Sequence, residues 1–391
     1  GTAQELTSGG CNTAVGYLAG FEHTTGCFNV TMGALAGHQI CTGSYNIAFG
    51  YYAGCDIKQG QWNVMMGSCA GRNRENTCNN IFIGRSAGCC EGTAGDNIGI
   101  GREALKGAGG SHEFNIALGK SAGQALTDGD HNFFGGYKAG FNATTGSCNV
   151  AIGNQAGNGL TSGTHNILLG NKAAGGATNA GHYNVILGKE AGCSATGAEG
   201  NVFLGAYSGK SISTGDYNVH LGYNSGNTTS SGCKNITIGC NVELPSATGN
   251  FQLAIGQGTS SWIVGNCDYN VGIGTINPDL AVGVGNTAKL SVGIVSAYQL
   301  YGDGSALTGI SAGFSPDAQG NLYAGTNAGA ASDSDTCFNI GIGQSAGCSL
   351  NSGDNNVLFG CMTGRCLTSG TDNVFIGREA GCNFSNSMCN I

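Results

Sequence analysis

One period governs this chain. Aligned on Asn12, Asn29, Asn46, Asn63 and onward through Asn149 to Asn235, with Gln252 and Asn270 continuing the register, twelve of the fifteen intervals are 17 residues and three are 18. A second array restarts at Asn321 and runs through Asn339, Asn356, Asn373 and Asn390. A unit this short cannot bury a face alone, so its copies must stack. Seventeen residues are too few for a helical-hairpin repeat or a propeller blade. The period therefore predicts an all-β, parallel β-solenoid or β-roll of 17-residue coils. The segments expected are a first roll over 1–275, a connector over 276–320 and a second roll over 321–391.

With the Asn as position zero, the consensus is N-[VI]-x-[VIL]-G-x-x-A-G, followed near +14 by Ser or Thr and another Gly. Val, Ile, Leu, Met or Phe at +1 and +3 has the alternation of a short strand showing one face to a core. Gly at +4, as in Gly16, Gly33, Gly50 and Gly153, and again at +8, implies positive φ or close approach of neighbouring coils. The small residue at +7 suits a narrow interior corner. A Thr or Ser pair before Gly26 or Gly146 is turn chemistry. Asn12, Asn29, Asn46, Asn149 and their equivalents are expected at turns, where stacked side-chain amides can form a ladder. The coil has room for two short strands and two turns. At the strand spacing of about 4.8 Å, sixteen coils make a rod on the order of 75 Å long.

Composition agrees. There are 74 Gly and 3 Pro, and charged residues are 10% of the chain, too few for a charged disordered tail. Gly without a triplet repeat excludes collagen. The net charge of −8 has no basic run within it, which argues against nucleic acid as a partner. No stretch approaches 18 apolar residues, so membrane insertion by a helix is not expected. Both chain ends fall inside repeats, as expected of a piece of a longer polypeptide.

Position +2 bears on assembly. It should point away from +1 and +3, yet it holds Ala14, Ala48, Met65, Phe82, Ile186 and Phe203. A strand buried on both faces needs a second partner. The simplest is another copy of the chain in a parallel symmetric bundle.

The nineteen cysteines follow the coil. Residues in one column of adjacent coils lie roughly 5 Å apart, within disulfide reach. Candidate staples are Cys11 with Cys27, and Cys366 with Cys348 or Cys382. The competing reading makes Cys a small hydrophobe in tight corners. His131, Cys148 and His165 share position −1 in successive coils, but stacked turn residues explain them without a metal. Aromatic residues recur at −1, including Phe28, Tyr45, Trp62, Phe114 and Tyr269. They either present rings to sugars or, the favoured reading, pack on one another along the roll.

The stretch Asn149-Val-Ala-Ile-Gly153 and its equivalents resemble the head repeat of trimeric autotransporter adhesins. That resemblance implies a left-handed, trimeric β-roll. Asn270-Val-Gly-Ile-Gly-Thr-Ile-Asn-Pro278, followed by Lys289-Leu-Ser-Val292, is similar to a segment of bacteriophage tail fibres. Tyr301-Gly-Asp-Gly-Ser-Ala-Leu-Thr-Gly-Ile310 resembles fibre sequences of marine phages, including those of cyanobacteria. The implied role is a structural fibre of a virion, a homotrimeric rod serving as spacer and in host attachment. Its partners would be other virion tail proteins and a host surface glycan or protein. The alternative is an extracellular bacterial adhesin or self-assembling filament subunit, so the location is a virion appendage or an extracellular surface. No catalytic constellation stands out from the repeat: acids such as Asp96, Asp130, Asp216, Asp354 and Asp372 are spread over turns. No enzyme activity, cofactor or metal is expected.

Overall fold

Fourteen strands of three residues each, from β1 (Thr13–Val15) and β2 (Val30–Met32) to β14 (Ile236–Ile238), follow the asparagines one per coil. The computed structural model describes residues 7–273, except 91, 94, 108–109, 177–179 and 269, and residues 316–391. The chain divides into two units, Gly1–Val295 and Ser296–Ile391. Among the described residues there is no helix. Most of the expected connector lies outside the described residues, with Pro278, Lys289–Val292 and Tyr301–Ile310; so do Gly274 and Tyr269.

The first unit is a parallel β-solenoid. Each strand residue pairs with its equivalent one coil on: Thr13 faces Val30, Ala14 faces Thr31 and Val15 faces Met32. The 18-residue coils keep this register, with Ile98 opposite Ile116 and Ile167 opposite Val185, so their extra residue is absorbed outside the strand. Each coil carries one strand rather than the expected two; the rest is turn. The second unit repeats the plan with β18 (Leu322–Ala324), β19 (Ile340–Ile342), β20 (Val357–Phe359) and β21 (Val374–Ile376), all parallel neighbours in chain order.

The expected facing of the strand is reversed. Position +2 is the buried one: Ala48, Met65, Phe82, Ala117, Phe134 and Phe203 are inaccessible to solvent. Positions +1 and +3 face outward, leaving Ile47, Ile152 and Ile167 about two-fifths exposed (42%, 42% and 41%). The reason is the asparagine. Its side chain lies inside the coil, as at Asn29, Asn46 and Asn149. Strand side chains alternate, so whatever face holds position zero also holds +2.

Alanine at +7 completes the interior together with a column at +11 that the consensus did not mark: Ile40, Ile57, Leu126, Leu160 and Ile212 are all buried. Positions +2 and +11 trade volume within many coils. Ala48 accompanies Ile57, Ala117 accompanies Leu126 and Ala151 accompanies Leu160, whereas Phe134 accompanies Ala143 and Ile186 accompanies Ala195. The cross-section is thus kept full at constant girth, as close packing requires. Phe203 with Ile212 and Leu358 with Leu367 depart from the exchange.

Coil stacking in the first unit stops one repeat sooner than the sequence register suggests. Strand β15 (Leu253–Gln257) is parallel to β14 but antiparallel to β16 (Ser260–Gly265), which is antiparallel to β17 (Val271–Ile273). Gln257 and Ser260 are paired across a two-residue turn whose Gly258 has φ +59°, the kind of hairpin turn that glycine permits. Asn270 therefore introduces a hairpin strand, not a sixteenth coil.

Glycine at +4 is required twice over. Gly153 has φ +137°, and a Cβ placed on it would stand 2.5 Å from the carbonyl oxygen and 2.7 Å from the carbonyl carbon of Gly170 in the next coil. Gly16, Gly33 and Gly50 are in the same situation, with φ +132°, +126° and +133°. At Gly135, an outward strand position, the nearest atom to such a Cβ is 3.6 Å away. Gly153→Ala should split the stack locally and cost about 3 kcal/mol or more, since strained backbone and a steric clash add. Gly135→Ala should leave the unfolding free energy within about 0.5 kcal/mol of the parent. Urea unfolding followed by circular dichroism checks both.

Candidate functional surfaces

The coil carries four columns of functional side chains, each built by repetition. The innermost is the asparagine ladder. Asn149 donates from its backbone N to Oδ1 of Asn132 (3.0 Å) and from Nδ2 to the same oxygen (3.1 Å) and to the Gly163 carbonyl (2.8 Å). Its own Oδ1 accepts from Asn166 N and Nδ2, both at 3.0 Å. Asn12, Asn29 and Asn46 are joined in the same way. Each buried amide is thereby satisfied, which it must be in a dry interior.

Two other residues close the ladder. Gln252 donates its backbone N to Asn235 Oδ1 (2.8 Å) and turns its amide back onto Ser246 N and O. Ahead of the second unit's strands, Asp317 supplies the missing acceptors: Oδ1 takes Asn321 N (2.8 Å) and Oδ2 takes Asn321 Nδ2 (3.1 Å).

The second column, at −2, was not anticipated as a column of acceptors. Asp130 Oδ1 accepts the backbone N–H of Glu113 (2.7 Å), Asp216 Oδ1 that of Glu199 (2.8 Å) and Asp354 Oδ1 that of Cys337 (2.8 Å). Elsewhere Ser44 and Ser147 hydroxyls, or the Cys27 and Cys233 sulfurs, do the same for the coil before. These acids are structural acceptors, one coil step from the N–H they satisfy. The signal in the sequence was the recurrence of Asp, Ser, Thr or Cys two residues before many of the asparagines.

The third column, at −1, is held in the left-handed region by residues of every kind: φ is 58° at Phe28, 60° at Tyr45 and 55° at Trp62. Position +6 behaves alike, with Leu18 at 52° and Leu35 at 60°. Such a conformation is unfavourable for bulky side chains and persists only where the surroundings over-determine it. Sequence reading marked glycine alone for positive φ and so missed both positions. The rings at −1 stack: Phe28 on Tyr45 at 5.0 Å and 10°, Tyr45 on Trp62 at 6.1 Å and 14°. Their faces are used on one another, leaving edges outward, which does not suit a sugar-stacking platform. His131 stacks on Phe114 at 5.0 Å and His165 on Tyr183 at 5.1 Å. Among the described residues no group of three or more His, Cys, Asp or Glu side chains could hold a metal ion.

Cys11, Cys27, Cys348, Cys366 and Cys382 are free thiols, as are the other cysteines. Cys11 is at −1 and Cys27 at −2, so they occupy different columns, and Cys27 is engaged with Gly10 N and Thr25 O. Cys348 Sγ donates to the Arg365 carbonyl (3.7 Å) and Cys382 Sγ to Asn383 Oδ1 (3.7 Å). Burial, then the neighbouring Asp56, pushes the Cys55 thiol up to about 12. Burial, then Cys90, takes Cys89 to about 11. These thiols resist ionisation and fill corners.

Polar groups also sit in the core. His220, in column +2, stacks on Phe203 at 5.2 Å and shares a 2.7 Å bond with Thr237 Oγ1, which also bonds Ser225 Oγ. Arg74, in column +11, donates from Nε to the Gly88 carbonyl (2.9 Å) and lies 5.2 Å from the Phe82 ring centre. Its Nη2 is 3.4 Å from His112 Nε2. Burial holds His220 at about 4. Burial, and then the Arg74 charge, takes His112 to about 3; burial lowers His23 as well.

Two predictions follow from these columns. Asn149→Ala would remove the acceptor for the buried Asn166 N–H along with two donated bonds, a loss of about 3–5 kcal/mol. Hydrogen exchange at the Asn166 amide should accelerate by about two to four orders of magnitude while coils around Asn235 keep their protection, because stacked repeats couple mainly to neighbours. The second concerns acid. Both His220 and His112 have folded values below the ordinary 6.5, so the unfolded chain binds the extra proton. Their stabilisation is complete above about pH 6.5 and is lost as pH falls toward 4, by roughly 3 kcal/mol per histidine. The thermal midpoint should drop across that window, and His220→Phe, a residue the column already accepts, should shrink the drop.

The fourth column is the outward sheet face. Val15, Ile47, Phe49, Met66, Ile100 and Leu118 are each between 37% and 54% exposed. They form an apolar strip of +1 and +3 side chains that no described residue of the first unit covers. Comparison with known proteins returns no match: no family model, no curated protein and no solved structure is similar to this chain.

Proposed function

We propose that this chain is a structural fibre segment whose solenoid associates with copies of itself through the outward sheet strip. The observation that carries the reading is that strip. A single roll solves its own packing problem with columns 0, +2, +7 and +11, so the aliphatic residues at +1 and +3 have no role in its interior. A patch running along the whole sheet far exceeds the scattered exposed hydrophobics of an ordinary surface. Its extent along the sheet suits a stable interface, which takes about 800 Å² per partner. The expected apolar interface is therefore kept, but its residues change from +2 to +1 and +3.

A homotrimer is the assembly that the adhesin-head resemblance of Asn149–Gly153 implies, with the strips turned to a common axis. The virion role, spacer and host attachment with other tail proteins as partners, draws its support from the tail-fibre-like segments at 270–310. Stacked backbone bonds, short turns and satisfied buried amides suit a load-bearing rod. The test is the native mass by light scattering. A trimer expected for the parent should become a monomer in Ile152→Glu/Ile167→Glu, with the circular dichroism spectrum unchanged. A parent chain that is a monomer would overturn self-association, and open-ended polymers would move the reading to a filament subunit.

A further inference from the structure

Charge on the first unit is sorted by column. On the turn that follows the strand, positions +5 and +6 carry Arg85, Arg102, Lys120, Lys138, Lys172 and Lys189 against Glu103 and Glu190. On the turn that precedes it, positions −2 and −1 carry Asp96, Glu113, Asp130, Glu199 and Asp216 against Lys234. Arg102, Lys120, Lys172, Lys189 and Glu113 are exposed, and the others are at least partly so. The two acids of the basic edge are each paired: Glu103 Oε1 lies 3.7 Å from Arg85 Nη2 on the same edge, and Glu190 Oε2 is 2.9 Å from Lys210 Nζ, a lysine at +9 of the next coil. The apolar strip at +1 and +3 thus runs between a basic edge and an acidic edge over the same stretch of coils. The second unit has acids on the preceding turn, Asp354 and Asp372 at −2 and −1, but Arg378 at +5 is paired with Glu379 at +6, so the partition belongs to the first unit.

We propose that these edges make the strip a self-complementary interface for a second copy of this chain running in the same direction, and exclude the reversed arrangement. The inference rests on the self-association reading and adds its orientation. Any rotation about the solenoid axis that turns strips toward one another brings the basic edge of one copy beside the acidic edge of the next. This holds for two copies or for three. Reversing one copy end for end, with the strips still face to face, instead sets acid against acid and base against base. Like charges aligned across an interface oppose association, and opposite ones set register and orientation. The apolar strip has no such polarity, so orientation falls to the edges.

Two charge-reversed chains test this. In one, Arg102→Glu, Lys120→Glu and Lys189→Glu invert the basic edge. In the other, Asp96→Lys, Glu113→Lys and Glu199→Lys invert the acidic edge while sparing the ladder acceptors Asp130 and Asp216. Each alone should associate at least tenfold more weakly than the parent by light scattering at low salt. An equimolar mixture should associate more tightly than either reversed chain alone, because mixed neighbours again set acid beside base, and this also shows that both chains fold. Electron microscopy of the parent with a gold label on an amino-terminal tag should place all labels at one end. Labels at both ends, or reversed chains that assemble as well as the parent, would overturn the orientation proposal and leave self-association standing. A parent that is a monomer at every salt concentration would overturn the reading beneath it.

Discussion

Everything in this fold hangs on a buried primary amide placed once per coil. The Asn side chain has one acceptor and two donors to satisfy away from water, and the only arrangement that repeats is amide on amide along the stack. The oxygen takes the N–H and Nδ2 of the next Asn, and Nδ2 reaches the preceding Asn and a turn carbonyl. Because a half-satisfied ladder is worse than none, the ends need dedicated partners. The Gln252 backbone N–H donates to Asn235 Oδ1, and ahead of the second unit's ladder the Asp317 carboxylate accepts from Asn321.

The ladder fixes which way the strand faces, and that in turn divides the molecule's labour. With Asn and +2 inside, the interior is closed by +7 alanine and a +11 side chain chosen to complement +2 in size. The strand's other face is left to the outside world. Three residues of strand per coil leave fourteen to turn, and the turn is achieved by left-handed backbone at −1, +6 and +8 in nearly every repeat. Glycine carries that cost at +8, while Phe28, Tyr45 and Leu35 carry it at the other two because stacked hydrogen bonds hold them there. The polar core around His220, Arg74 and His112 is the exception to an otherwise aliphatic interior, and it is where the stack is most sensitive to acid.

Seen from the surface, the first unit's solenoid carries three parallel bands: acidic and aromatic, apolar, basic. The middle band has the extent of a protein interface and the outer bands have the signs to orient one. A structural fibre needs both properties, since apolar contact alone joins copies without directing them.

Much of this was legible in the residues. The 17-residue period, the single-strand alternation from +1 to +3, the forced glycines at +4 and the amide ladder at Asn12, Asn29, Asn46 and Asn149 follow from spacing and side-chain chemistry, because a stacked repeat turns each local rule into a column. Three things did not. An apolar triplet such as Val150-Ala151-Ile152 is apolar on both faces, so only the tertiary position of the neighbouring Asn decides that Ala151 is inside and Ile152 outside. The left-handed turns at Phe28 or Leu35 leave no mark, since neither a phenylalanine nor a leucine announces positive φ. The cysteines were equal candidates for staples and for filler by sequence distance alone, and only the fold shows Cys27 and Cys348 as free thiols engaged with backbone groups. The period and the ladder are properties of the chain, whereas inside and outside are properties of the stack.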